Sequence, residues 1–436
     1  MKRVAAAAAV LVALAVGASL ASASPTHTGK ASATTLTVWV GWSARELSEF
    51  KKVVQEYDAK NKDVEVKVVG GINDDKIIAA LRAGNGPDVV SSFTSSNVGI
   101  YCSSGGWIDL ASYLKQDKIN INIFPKASQY YTQYKGTRCA LPLLADDYGL
   151  YYNTKLLKAA GLTGPPKTLD QLTQYAKKLT KRNPDGSLKV VGFDPFMGFY
   201  QNTAGSYQPL FNGKYFKGDK SSLGSDPSWA KFLRWQKSLI DFYGYKNLVK
   251  WQTGAGDEFS ASHAFETGKL AMMMDGEWRV AFIAAEHPEL QYGTAPMPAM
   301  SPSLYGSGYI NGTIIGIPKN GKNRDTAWDL VKYLTTNDHA LAEFSNGIRN
   351  VPSTVSSTKS KELKPDPHFA TFGKIFTNPK SQTTPITAAG AAHLDTLTSF
   401  IAKWQAGKVK DLPGGLKDVD KQIDAKLKQA GAGGAP

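Results

Sequence analysis

The chain has 436 residues, 42% hydrophobic and 20% charged, with 51 Lys and Arg against 37 Asp and Glu for a formal net charge of +14. That apolar content excludes a disordered chain, and the length exceeds what one hydrophobic core usually organises, so at least two lobes are expected. Lys and Arg are interleaved with acids, as in "SEFKKVVQEYDAKNKD", without a long basic run. This reads as solvated helix faces and predicts no nucleic-acid partner.

Met1 to Val4 carries Lys2 and Arg3 and leads into an Ala/Leu/Val run and then Ala21-Ser22-Ala23. A basic start, an apolar stretch and a small-residue site predict a secretory signal peptide over 1–23. The run falls short of the roughly 20 residues a membrane span needs. Residues 24–35, polar and without periodicity, read as a flexible leader, and "GAGGAP" (431–436) as a loose tail. The mature chain is therefore expected outside the cytoplasm, secreted, periplasmic or on the outer face of the membrane. Neither cysteine stands where a lipidated N-terminal residue would be needed. Export also gives Cys102 and Cys139, the only cysteines, the chance to form an intrachain disulfide, two inert thiols being the alternative.

"TLTVWVGWSARELSEFKKVVQEYDAKNKDVEVKVVG" predicts a strand over Leu36–Val40, a helix and a second strand over Val64–Val69. Ser43-Ala44-Arg45-Glu46 has the spacing of a capping box, and Leu47, Phe50, Val54 and Tyr57 repeat at helical spacing. A helix over Asp74–Ala83, the turn "GNGPD", a buried strand in "VVSSF" and a helix ending near Gly105-Gly106 follow. The alternation argues for α/β lobes built on largely parallel sheets. In "SDPSWAKFLRWQKSLIDFYG" Asp226 is the cap, Pro227 the first helical residue and Gly244 the stop. Strands return near 290–320, and helices occupy much of the remainder.

Catalytic motifs are not found. The histidines, at 27, 263, 287, 339, 368 and 393, are isolated, so no metal and no cofactor is expected. Asp146 and Asp147 are adjacent, so on a strand they point to opposite sides and form no glycosidase pair by themselves. The chain offers aromatics instead, among them Trp39, Trp42, Tyr148, Tyr151, Trp251, Trp278 and Tyr309, many beside polar residues. A sugar presents hydroxyls, which carboxylates accept well, and apolar C–H faces, which pack on rings.

Five stretches together resemble the extracellular solute-binding proteins of ABC sugar importers, of the maltose-binding type (family 1). They are "LTVWVGWSARELSEFKKVVQEY", "GPDVVSSF", "CALPLLADDYGLYYNTKLLKAAGLTGPPKTLDQLTQYAKKL", "FETGKLAMMMDGEW" and "NGTIIGIPKNGKNRDTAWDLVKYLTT", spanning roughly residues 36–350. The resemblance implies a two-lobed periplasmic-binding-protein fold, each lobe a largely parallel sheet flanked by helices, with hinge strands between. It places lobe 1 at 36–145 plus about 300–345 and lobe 2 at 146–299 plus about 346–430. Ligand would bind in the cleft and the lobes would close on it.

By the same resemblance "ALPLLADDYGLYYN" is the first hinge crossing. The family's acidic residue before "YYN" falls on Asp146, with Asp147 and Tyr148 as alternatives set by strand register. Trp278 in "DGEWRV" matches a sugar-stacking Trp, and Trp42 lies where cleft-facing residues begin. Ser92 and Ser95 lie in a ligand-contacting loop, although the maltose-binding pattern has a Trp where Ser92 stands, which puts maltodextrin specificity in question. Asn311-Gly312 occupies a ligand-touching turn, and Arg349 is a further candidate. The implied function is a monomeric, non-catalytic oligosaccharide receptor that delivers ligand to the transmembrane subunits of an ABC permease. A secreted carbohydrate-active enzyme, or a binding protein for an acidic sugar or a peptide, is the competing expectation.

Overall fold

The computed structural model describes residues 33–431; the expected signal peptide, the leader up to residue 32 and the tail beyond residue 431 lie outside them. The strands in chain order are β1 (Thr34–Trp39), β2 (Val64–Val69), β3 (Val89–Ser92), β4 (Leu141–Asn153), β5 (Lys181–Arg182), β6 (Leu188–Phe193), β7 (Phe216–Lys217), β8 (Lys220–Ser221), β9 (Leu270–Gly276), β10 (Tyr292–Ala295), β11 (Ile310–Gly316) and β12 (Val351–Pro352). Ten of them join in the order β2-β1-β3-β11-β4-β9-β6-β5, with β10 and β12 also on β4, while β7 and β8 form a separate hairpin.

Parallel pairing links β1 to β2, β1 to β3 and β6 to β9; every pair that involves β4 or β11 is antiparallel. The sheet is therefore mixed. The parallel pairs lie where helices supply the crossovers such a pairing requires.

Strand β4 decides the architecture. Its first half pairs with β11, from Leu141 opposite Ile315 to Asp147 opposite Ile310. Its second half pairs with β9, from Tyr148 opposite Gly276 to Tyr152 opposite Met272. The hand-over falls between Asp147 and Tyr148, in the middle of the "ADDYG" stretch. All but one of its residues are buried, so it reads as a continuous apolar run with two acids inside it.

On one side of the hand-over, a core gathers Leu36, Val38, Phe50, Val54, Leu143, Ile315, Trp328 and Phe344. The helix Ala44–Lys60 contributes Phe50, Val53, Val54 and Tyr57, one face at helical spacing. Its capping box does not form: Ser43 makes no side-chain cap bond, so Glu46 is available for something else. A larger core runs across the hand-over, taking in Val90, Val98, Tyr101 and Trp107 on the first side, and on the other is built around Phe193, Phe232, Ile240, Met272 and Met274, closed by the C-terminal helices through Ile401 and Ile423. The helix Pro227–Tyr243 is bounded by Asp226, whose carboxylate accepts from the Ser228 amide, and by Gly244 at φ +80°.

Cys102 and Cys139 are joined as a disulfide with Cα atoms 5.4 Å apart, tying the helix Val98–Ser103 to the segment entering β4. Asp88 is occupied structurally, accepting from the backbone amides of Thr37 at 2.9 Å and Lys322 at 3.2 Å. Among the described residues no helix is long and apolar enough to cross a membrane.

Candidate functional site

The residues that flank the hand-over of β4 enclose a cavity of about 230 Å³. Trp42, Glu46, Phe93, Asn311 and Thr313 approach it from the β1/β3/β11 side, and Tyr148, Gln201, Phe259 and Trp278 from the β9 side, with Asp146 and Asn350 between them. A second cavity of about 280 Å³ shares Phe93, Tyr148 and Asn311 and extends along Ser95, Thr203, Tyr309 and Asp395. A larger groove near Asn183, Lys250 and Lys269, about 650 Å³, shares no residue with either and holds one aromatic, Trp251.

The aromatic walls are set by local packing. Trp42 lies 5.3 Å from Phe50 and 4.9 Å from Phe344, with Phe93 edge-on at 5.4 Å. A Cβ on Gly41 would stand 2.4 Å from the Phe93 ring, so glycine is required for that approach. Across the cavity Trp278 meets Tyr148 edge-on at 5.7 Å. Its indole folds back over Gly276, where a Cβ would come within 2.2 Å of the ring. Phe93 is 42% exposed and Phe259 58% exposed. Large apolar rings left open on both sides of one cavity are what an apolar ligand face would cover.

The acids form the floor. Asn350 donates from Nδ2 to Asp146 Oδ1 at 2.7 Å and to Glu277 Oε1 at 2.9 Å, and the Asp147 amide donates to Glu277 Oε2 at 2.7 Å. Burial pushes the Asp146 carboxyl up to about 7; Asn350 opposes the shift and Glu46 adds to it. Asp147 and Glu277 are driven well above the usual carboxylate range by burial, reinforced by Asp146 and, for Glu277, by Asp147 as well. Glu46 is also raised by burial, and Arg45 opposes it. Arg279 is committed elsewhere, 2.7 Å from Asp275 and 3.2 Å from Glu266. The cavity lining thus has two carboxylates and no Lys, Arg or His.

Five of the expected site residues come together here: Trp42, Asp146, Tyr148, Trp278 and Asn311. Ser95 lines the adjoining cavity and donates to Asn311 Oδ1. Four others do not line the cavity. Ser92 donates to Asp74 Oδ1 at 2.5 Å. Asp147 projects to the opposite face from Asp146, as strand alternation requires, and its carboxylate is enclosed without a hydrogen-bond partner among the described residues. Gly312 is packed so closely that a Cβ would lie 2.5 Å from the Leu144 carbonyl oxygen. Arg349 ends a helix in the left-handed conformation at φ +61°, donating to the Lys364 carbonyl and lying 5.7 Å from the Phe369 ring centre.

Glu46, Phe93, Gln201, Phe259, Thr313 and Asn350 join the site unforeseen. In the sequence Glu46 reads as part of a capping box, and Phe93 directly follows the expected Ser92; Gln201, Phe259 and Asn350 carry no local signal. Among the described residues no group of three or more His, Cys, Asp or Glu is placed to hold a metal ion. Of the aromatics singled out in the sequence, Tyr151 is wholly enclosed and Trp251 nearly so.

A family model described as a bacterial extracellular solute-binding protein matches residues 52–371. The maltotriose-binding protein of Pyrococcus abyssi is 22% identical over 354 residues, covering 80% of this chain and 73% of that protein. The maltodextrin-binding protein MdxE of Bacillus subtilis is 26% identical over 346 residues, 75% of each chain. A solved structure of CpMnBP1 with mannotriose bound superposes with a TM-score of 0.79 at 26% identity, covering 90% of this chain and 100% of that one.

Proposed function

This chain belongs to the bacterial extracellular solute-binding protein family, and on that premise we propose that it is a non-catalytic carbohydrate receptor working with an ABC importer. The observation that carries the reading is the cavity at the hand-over of β4, where aromatic rings face carboxylates and amides across the junction of two sheet halves. The relatives named for maltotriose and maltodextrin, and the neighbour with mannotriose bound, point to the same ligand class.

In this reading lobe 1 comprises 36–145 plus about 300–345, and lobe 2 comprises 146–299 plus about 346–430. A sugar ring stacks on Trp278, with Trp42 and Phe93 opposite, while hydroxyls donate to Asp146 and bond to Asn311, Gln201 and Asn350. Phe93 and Phe259, exposed on opposite sides, cover the ligand as the lobes close. The closed form then docks on membrane partners, and the ligand leaves unchanged.

Two carboxylates on one cavity, Glu46 and Asp146, give a secreted glycosidase as the second reading. An acidic sugar is disfavoured, because the lining offers no cation to meet it. Titration of the purified protein with neutral oligosaccharides, followed by melting temperature and by chromatography of the sugar, tests the reading. At about 100 times its dissociation constant a ligand adds about 2.7 kcal/mol of stability. A saturable rise with the sugar recovered intact is expected; cleavage of the sugar would establish the enzyme instead.

A further inference from the structure

The cavity is acidic within a chain whose net charge is +14. Glu46 and Asp146 both line it. Asp146 is 9% exposed and uses Oδ1 for the Asn350 amide, while Oδ2 accepts no hydrogen bond among the described residues. Glu46 makes no hydrogen bond or ion pair there either, although burial already disfavours its charge.

The charged groups packed around the pair answer it only in part: Arg45, next to Glu46 in the chain, favours that carboxylate's charge. Arg45, the nearest base on the same helix, donates to the Gly347 carbonyl at 2.8 Å and lies 5.4 Å from the Phe282 ring centre, outside the lining. From the β4 and β9 side come further acids, Asp147 and Glu277, and Glu258, which accepts from the lining residue Gln201, with Arg279 neutralised by Asp275 and Glu266.

A neutral sugar supplies hydroxyl donors but leaves two acids facing one desolvated space, where ionising both is costly because like charges repel more strongly than in water. A cation removes that repulsion and makes charge-assisted hydrogen bonds to both. The surrounding rings of Trp42, Phe93 and Trp278 are compatible with it, since aromatic faces attract cations. We propose that the sugar bound in this cavity carries a protonated amine, seated between Glu46 and Asp146; this rests on the carbohydrate-receptor reading above. The direction of the Asp146 shift agrees, because burial and Glu46 both hold its proton until a cation displaces it.

The test is calorimetric titration of the full chain at about pH 6, where amines of this kind are charged. The sugars come in pairs that differ only in amine against hydroxyl: glucosamine and glucose, galactosamine and galactose, and chitosan and cello-oligosaccharides of two to four sugars. The amine member of at least one pair is expected to bind about tenfold more tightly or better, about 1.4 kcal/mol. Binding should release protons, read as a dependence of the heat on the buffer. Glu46→Gln, on the first turn of its helix, should bring the amine-to-hydroxyl ratio toward one.

A hydroxyl member that binds as tightly as its amine in every responding pair overturns the proposal. So does binding of neutral glycans outside the pairs when no amine binds, and in both cases the receptor reading stands. Failure of every glycan, charged or neutral, overturns both.

Discussion

Two histidines are buried without charge, and their removal should change how the protein withstands acid. His263 is fully enclosed, with its ring stacked 4.2 Å from Tyr200, and His393 is 1% exposed, its ring nitrogens without a side-chain partner among the described residues and only the Gly390 backbone opposing the effect of burial. Burial lowers His263 to about 2, with Arg279 contributing, and His393 to about 4. A depressed folded value means stability that is present above the unfolded value, about 6.5, and is lost as pH falls below it. At about pH 5 each site costs about 2 kcal/mol, so the pair costs about 4 kcal/mol, a large part of a typical stability of about 5–15 kcal/mol.

Asp146 and Asp194, each raised to about 7 by burial, work in the opposite direction. They are stabilising when protonated, and that contribution is lost as pH rises through 7, so the wild-type curve alone is blunted. The difference between wild type and a His263→Phe/His393→Phe variant isolates the histidines, since any packing change is the same at every pH. Urea unfolding from about pH 8 to pH 5 should show the variant gaining about 4 kcal/mol on wild type across that range. A difference that stays flat with pH would refute the assignment of both imidazoles as neutral and buried.

Two further predictions concern groups outside the cavity. Asp194 accepts from Gln252 at 2.8 Å and from the Phe196 amide at 2.9 Å, so Asp194→Asn should keep the fold while removing a decline of about 3 kcal/mol between about pH 5 and pH 8, read by the same unfolding series. Cys102 and Cys139 lie 37 residues apart, a loop whose closure restricts the unfolded chain by about 4 kcal/mol; Cys102→Ser/Cys139→Ser should therefore lower the melting temperature, and reductant should lower that of wild type but not of the variant.

How much was legible in the sequence depends on how local the signal was. The helix over Asp74–Ala83, the strand Val64–Val69 and the helix Pro227–Tyr243 were readable to the residue, because capping, period and turn chemistry act within a few positions. The placing of a crossing at "ADDYG" came from the family resemblance; the two acids inside an apolar run marked the stretch as unusual without saying what it joins. The partners of those acids were not legible. Asn350 reaches Asp146 from 204 residues away and Glu277 from 73, and no local pattern encodes such a meeting. Glu46 illustrates the opposite difficulty: a local pattern, the capping box, accounted for the residue, and tertiary packing claimed it for the cavity. Ser92 failed to reach the cavity because Asp74 stands close enough to take its hydroxyl.

The central claim is that a sugar is held at the hand-over of β4 by the Trp278 ring, and the most direct test is calorimetric titration of the best-binding sugar into wild type and Trp278→Ala. Loss of a stacking indole is expected to weaken binding by about 1–3 kcal/mol, roughly fivefold to 150-fold, with the fold unchanged by circular dichroism. An affinity identical to wild type would contradict the account and move the ligand to another surface.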